Sequence, residues 1–477
     1  MNYRMIKNIT GWLLLFEALF LLVPSVTALI YMEKAGLYYV GTAVVCALIG
    51  WLCMHKKPAD TVLYAREGFV IVSMSWIVLS LFGAVPLWLC GDVPDYIDAL
   101  FEVVSGFTTT GASILAEVEP LTHASLMWRS FTHWVGGMGV LVFIMAFVQL
   151  SGGQNMHIMK AESPGPSVSK LVPRVKTTAL ILYSLYLGLT MLMFILLLCG
   201  SMTAFEALNT AFATAGTGGF GFRNDSMASF SSYLQIVITV FMLLFSIDFG
   251  CYYCVLRGKL KDALNAEVRA FLILVFGAVT VITLNVRTLF PSIGEAIRHV
   301  FFTVASLIST TGFSTVDFDL WPSLSQSVLV LLMFVGACAG STGGGIKVSR
   351  LIILFKGMVK ELDNLAHPHR VRKVTVNRRP IDHEVIRSVN AYMIAYLLVF
   401  TLSVILLSID KHDLVTNFTA VTATINNIGP GLSMVGPTCN FGFFSIPCKL
   451  ILIFDMLAGR LELFPMLVLL APTTWKK

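Results

Sequence analysis

The sequence predicts an all-α polytopic membrane protein with about ten transmembrane helices and four re-entrant pore helices. Three observations carry this: hydropathy, the distribution of positive charge, and four polar turns set into apolar sequence. Of the 477 residues, 56% are hydrophobic and 13% charged, and mean hydropathy is +0.81. A soluble fold of this composition would expose apolar side chains over most of its exterior. Apolar stretches near 10–31, 37–54, 69–90, 127–150, 178–199, 233–256, 270–289, 326–350, 389–409 and 446–471 each have the length to cross ~30 Å of hydrocarbon.

Ten crossings return both termini to one side, and the bases identify it. Arg4 and Lys7 precede the first span, and Lys56, Lys57 and Arg66 follow the second. Lys160, Lys170, Arg174 and Lys176, then Arg257, Lys259, Lys261 and Arg269, fill the next loops on that side. The stretch 350–388 is the most basic, with Arg350, Lys356, Lys360, Arg370, Arg372, Lys373, Arg378, Arg379 and Arg387, and Lys476 and Lys477 end the chain. Opposite loops carry acids such as Asp92, Asp95, Asp317 and Asp319. Positive loops stay inside, so both termini are expected in the cytoplasm. Topology thus accounts for the net charge of +6 without nucleic acid as a partner. Residues 1–28 resemble a signal peptide, but the apolar run is long and a second span follows at once, so it reads as the first span.

The four turns are Thr109-Thr110-Gly111-Ala112, Thr217-Gly218-Gly219-Phe220, Thr310-Thr311-Gly312-Phe313 and Asn427-Ile428-Gly429-Pro430. Non-helical backbone at membrane depth survives only where protein buries it or it lines a watery cavity. Their glycines recur about every hundred residues, each within the order span, short apolar helix, turn, span, and such periods mark repeated units. Phe101 and Phe302 precede their glycines equally, as do Ser105 and Ser306. The division is an N-terminal helix pair (1–57), repeats at 58–150, 151–256 and 257–355, and a basic cytoplasmic linker with the fourth repeat (356–477). Each unit begins and ends on the cytoplasmic side. The repeats are therefore parallel and close around a pseudo-fourfold pore, unlike the inverted repeats of many secondary transporters. Short helices at roughly 97–108, 204–215, 296–308 and 414–425 would aim their partly negative C-terminal ends at the bilayer centre, which favours a cation.

The turns resemble the filter segments of the Trk/Ktr/HKT superfamily of potassium transporters. So do Trp134-Val135-Gly136-Gly137-Met138-Gly139, Ala339 to Lys347 (AGSTGGGIK), and Met456-Leu457-Ala458-Gly459-Arg460-Leu461-Glu462. The extra N-terminal pair is similar to the TrkH-type branch. The resemblance implies a K⁺-selective, channel-like membrane subunit of a bacterial inner membrane. It also implies a homodimer with one pore per protomer, resting on a cytoplasmic nucleotide-binding RCK ring of TrkA type. The implied filter is Thr110, Gly111, Gly218, Gly219, Thr311, Gly312, Ile428 and Gly429, holding K⁺ by backbone carbonyls. In the superfamily a serine at the first filter glycine accompanies Na⁺ permeation; Gly111 stands there, so K⁺ is expected. A Na⁺-permeable or K⁺/Na⁺-coupled transporter is the alternative, because four unlike turns shape fewer good sites and Pro430 lacks an amide hydrogen.

Five glycines between Gly336 and Gly345 should break their span, since each costs about 1 kcal/mol in a helix. The resemblance makes Gly340, Ser341, Thr342, Gly343, Gly344, Gly345 and Lys347 a gating loop under the filter; the plain alternative is close helix packing. Arg460, in the middle of the last span, should face the interior or water, and the resemblance makes it a barrier contacting that loop. A pair with Glu462 is disfavoured, since residues two apart point to different sides. Glu102 and Glu206 suit the positive ends of pore helices, His133 and Trp134 read as packing, and Arg129 and Arg223 as anchors to outer carbonyls. Glu17 and Asp248 read equally as packing or functional groups. The linker 350–388 could attract anionic membrane lipid or dock the ring. Cys251 and Cys254 read as packing residues, and Cys439 and Cys448 as a candidate disulfide. No HExxH, GxSxG, Walker loop or intramembrane aspartate pair is present, so neither an enzyme nor an ATP-driven pump is expected, and no cofactor beyond the transported K⁺.

Overall fold

The computed structural model describes residues 1–55, 64–139, 175–368, 373–377 and 379–475. Lys56, Lys57, Lys160, Lys170, Arg174, Arg370, Arg372, Arg378, Lys476 and Lys477, and the span end 140–150, lie outside the described residues. The protein is an all-α membrane protein; a two-stranded ribbon pairing Thr375 with Pro380 and Val376 with Arg379 interrupts it. Among the described residues six helices are long and apolar enough to cross a bilayer, or seven if one bent pair counts as a span. Large apolar side chains such as Ile273, Phe276, Ile394 and Leu398 stand exposed on them, which suits lipid as the solvent.

The N-terminal pair, Tyr3–Ile30 and Gly36–Met54, packs against the first long helix of repeat one. Among the described residues, three helices of each expected repeat build the ring. They are Ala65–Leu89, Tyr96–Phe107 and His123–Gly137 in the first, and Val175–Cys199, Ala204–Ala215 and Ser232–Phe245 in the second. Ala266–Val286, Ile293–Ile308 and Ser323–Val335 make the third, and His383–Leu407, Leu414–Ile425 and Ile446–Arg460 the fourth. The last helix of each repeat packs on the pore helix of the next, and Ile446–Arg460 returns to Tyr96–Phe107. That contact closes the ring.

One feature departs from the sequence expectation. Spans 127–150, 233–256 and 446–471 read as continuous, yet every last helix stops halfway, after 15, 14, 13 and 15 residues. At 1.5 Å per residue such a helix covers only about 20 Å. The stops have local causes. Gly136, Gly137 and Gly139 crowd the first, and Gly139 takes φ 81°. Asp248 accepts from the Gly250 amide at 2.9 Å and starts a new helix, Phe249–Leu256, bent 93° from the one before. Gly336 (φ 69°) ends the third helix, and Glu462 and Leu463 (φ 60° and 64°) end the fourth.

Cys439 and Cys448 are both free, the first exposed and the second buried, so the candidate disulfide does not form. Arg129 anchors an outer carbonyl as expected, donating to Gly221 O at 3.1 Å, and its guanidinium lies 2.7 Å from Glu102 with both side chains almost fully buried. Arg223 instead pairs with Glu206 at 3.0 Å and donates to Ser229 Oγ. Glu102 also accepts from Ser113 Oγ at 3.0 Å and the Ile114 amide at 3.2 Å. A Glu102→Gln variant leaves Arg129 buried without a counter-charge, at a cost of about 3–5 kcal/mol. Thermal unfolding of the purified protein should fall by many degrees; an unchanged midpoint would refute the brace.

Candidate functional site

The pore helices begin alike. Asp95, Thr203, Ser292 and Asp413 each cap the first turn with a side-chain oxygen, accepting from Ile97, Glu206, Glu295 and Thr416 amides. They end alike too. Thr109, Thr217, Thr310 and Asn427 take φ 56°, 55°, 60° and 54°, and the glycines two residues on take 78°, 79°, 83° and 99°. The residue between donates its amide back five positions: Thr110 to Ser105, Gly218 to Ala213, Thr311 to Ser306 and Ile428 to Ala423, at 2.8–2.9 Å. This is a Schellman ending in which threonine or asparagine occupies the left-handed position usually given to glycine. A β-branched residue there is strained, and such strain persists only where surroundings over-determine it.

Those surroundings are the neighbouring turns. A Cβ on Gly111 would lie 1.9 Å from Gly218 O, on Gly219 1.9 Å from Thr311 O, and on Gly312 2.1 Å from Ile428 O. On Gly429 it would lie 2.9 Å from Thr110 O, so the series runs round the four repeats and closes. The eight expected filter residues Thr110, Gly111, Gly218, Gly219, Thr311, Gly312, Ile428 and Gly429 are thus brought into one ring. An open cleft sits over it, lined by all four glycines.

Side chains brace the ring from behind. Thr108 and Thr110 hydroxyls meet at 2.8 Å, Ser309 and Thr311 at 2.7 Å, and Asn427 Nδ2 donates to Thr110 Oγ1 at 2.9 Å. His133 does more than pack. The Phe220 amide donates to its Nε2 at 3.2 Å, so Nδ1 carries the proton and donates to Gly106 O at 2.8 Å. One neutral imidazole therefore ties the first pore helix to the second turn.

Below the ring lies the glycine-rich stretch, non-helical as its composition predicts. Gly336, Gly340, Gly345 and Lys347 all take positive φ. The Gly344 amide donates to Thr310 Oγ1 at 2.6 Å and the Gly345 amide to Asn426 O at 3.1 Å, so the loop touches the third and fourth turns directly. Thr342 Oγ1 donates to Phe245 O at 3.0 Å, Ser341 Oγ to Cys338 O at 2.6 Å, and Lys347 Nζ to Gly343 O. Arg460 donates to Thr342 O at 2.8 Å and to Gly136 O and Gly137 O at 2.5 and 2.8 Å. It joins the loop to the first repeat's half-helix, while Glu462 pairs with Arg350 instead. Sequence reasoning missed that pair and missed Glu267, whose carboxylate reaches the loop from the third repeat. Asp248 serves as a helix cap. Glu17 is fully buried, and among the described residues neither of its carboxyl oxygens has a hydrogen-bond partner.

The model of the TrkH family, described as a cation transport protein, matches residues 38–477. The Trk system potassium uptake protein TrkH of Escherichia coli K12 is 36% identical over 488 residues, covering 100% of both chains. The Trk system potassium uptake protein TrkI of Halomonas elongata is 30% identical, over 98% of this chain and 95% of that protein. Among solved structures, the potassium transporter TrkH from Vibrio parahaemolyticus superposes with a TM-score of 0.90 at 32% identity, covering 100% of both chains.

The closeness of the ring is testable with two neighbouring glycines. Gly219→Ala drives a methyl into Thr311 O and adds a left-handed penalty of roughly 1–2 kcal/mol. Gly221→Ala meets nothing nearer than 3.5 Å. The first should lower the unfolding midpoint in detergent clearly more than the second; equal shifts would show that the turns do not abut.

Proposed function

The chain belongs to the TrkH family of cation transport proteins, and from that premise we propose that it takes up potassium across a bacterial inner membrane through a channel-like pore. The observation that carries this is the closed ring of four turns, each with the same two left-handed residues and each glycine beneath the next turn's carbonyl. Four pore helices end at it, and each C-terminus carries about half a negative charge. Carbonyls of Thr110, Gly218, Thr311 and Ile428, with those of the glycines that follow, replace the water shell of a dehydrated K⁺. The relatives named as potassium uptake proteins support the same ion.

Beneath the filter, Gly340 to Gly345 with Lys347 act as a gate. The loop's amides rest on Thr310 and Asn426, and leaving the axis would free both. Arg460 adds a positive charge at the same depth and holds the loop through Thr342. A charge there is costly in a membrane and repels a cation descending from the ring. Control comes from the cytoplasm, through a nucleotide-binding ring of RCK type docked on the basic linker of a homodimer with both termini inside. No cofactor is required and no catalytic chemistry is invoked.

Competitive flux of K⁺ and Na⁺ through the purified protein in liposomes, with and without the candidate ring, tests the reading. K⁺ should pass in preference to Na⁺ and the ring should alter the rate. Equal permeation of both ions would favour the Na⁺-permeable alternative. In the same assay Arg460→Ala should raise K⁺ flux several-fold; a fall at normal membrane insertion would remove the barrier role.

A further inference from the structure

The glycine loop is held from above by the filter turns, and something must also fix its cytoplasmic ends. Its two ends, Ala339 and Ser349, converge on a single atom. Glu267 Oε1 accepts the Ala339 amide at 2.7 Å and the Ser349 amide at 3.0 Å. Everything between those amides is the loop and its exit. Hydrogen bonds to a carboxylate are stronger than those between neutral groups, and two on one oxygen fix the spacing of the loop's ends as well as their position.

Glu267 does not belong to the loop's own segment. It stands in the first turn of Ala266–Val286, where Asn265 caps the helix by accepting the Val268 amide at 2.9 Å. The preceding amide, of Ala266, donates to Asn377 Oδ1 at 2.7 Å. Asn377 is the turn residue of the ribbon in the cytoplasmic linker, and that ribbon is itself held by Lys356 Nζ on Thr375 O at 2.7 Å. A continuous series of contacts therefore runs from the linker ribbon through Asn377, Ala266 and Glu267 to both ends of the loop. Lys347 is the base of the loop, but its ammonium donates to Gly343 O, and Glu267 holds Ala339 and Ser349 by their backbone amides.

We propose that Glu267 is a positioning residue that holds the glycine loop closed by its two ends, and that the linker ribbon reaches the loop through it. The proposal rests on the loop acting as a gate. Glu267 touches no ion and takes no part in selection. Its oxygen matters as an acceptor of two amides, so an amide side chain, which offers a carbonyl in the same place, should serve in its stead.

Cys338 supplies the readout. It lies within the glycine-rich stretch, fully buried, with its amide on Ser246 O at 3.0 Å. Cys46, fully buried in the N-terminal helix pair, reports general unfolding. The full-length protein in liposomes would be alkylated with a maleimide and mapped peptide by peptide, while K⁺ flux is measured on the same preparation. Glu267→Ala should speed labelling of Cys338 roughly tenfold or more, the order of one lost hydrogen bond to a charged group, with Cys46 still protected. Glu267→Gln should stay near the parent, and Asn377→Ala should raise Cys338 labelling by a smaller factor. If the Ala variant exposes Cys46 as well, Glu267→Asp replaces it under the same criterion, since it keeps the charge and withdraws the oxygen. Cys338 protected in the Ala or Asp variant would overturn the pin. Labelling in Glu267→Gln equal to that in Glu267→Ala would overturn the acceptor role. Asn377→Ala matching the parent would overturn the link to the ribbon. Cys338 exposed with flux unchanged would uphold the pin and overturn the loop as gate.

Discussion

A peptide group at membrane depth must find its hydrogen-bond partner inside the protein, and the whole molecule is arranged around meeting that demand in four places at once. Each of the four turns follows a helix end whose carbonyls have no intrahelical partner. The Schellman endings at Thr110, Gly218, Thr311 and Ile428 satisfy part of them. The remaining carbonyls crowd against the glycine of the neighbouring turn, at distances no side chain would permit. Each turn is thereby shaped by the next, and no single repeat could hold its own turn in isolation. This interdependence explains why a left-handed threonine is tolerated three times: the strain is distributed over a closed ring.

The same demand shapes what lies below. A last helix running the full membrane thickness in every repeat would fill the space under the ring. All four stop halfway instead, and the freed backbone must again be matched. The glycine loop does this for the third repeat by donating to Thr310 Oγ1 and Asn426 O. Arg460 does it for the first, taking up Gly136 O and Gly137 O. The elements best placed to obstruct an ion are therefore the ones that complete the hydrogen bonding of the broken helices. If the loop and Arg460 obstruct ions as proposed, obstruction and stability come from the same bonds, and opening must supply new partners to the groups it frees.

Much of this was legible in the sequence, and the reasons differ by element. The short helix expected at 414–425 lies at Leu414–Ile425, and that at 97–108 lies at Tyr96–Phe107, because polar caps and a glycine turn bound an apolar run too short to span. The break after Gly336 was legible from glycine density alone. The breaks at Ser246–Asp248 and Leu461–Leu463 were not, because those residues sit inside runs whose hydropathy reads straight through; only a tertiary neighbour makes a bend affordable. Arg129's hold on Gly221 O was anticipated from its position, whereas Arg223's preference for Glu206 depends on a turn geometry that spacing does not encode. Glu267 stands at a helix start like many acids, and nothing local says that its oxygen meets two amides ten residues apart. Cys439 and Cys448 share a loop in sequence, yet one faces solvent and the other the protein interior.

Locating the ion within the ring tests the central claim most directly. Crystals grown in K⁺ and exchanged into Tl⁺ would show the bound ion by its anomalous scattering. The account predicts a peak on the axis among the carbonyls of Thr110, Gly218, Thr311 and Ile428 and those of the glycines that follow, displaced by excess K⁺ and not by equal Na⁺. A peak confined to the cleft above or to the space beneath the glycine loop, with none within the ring, would contradict it.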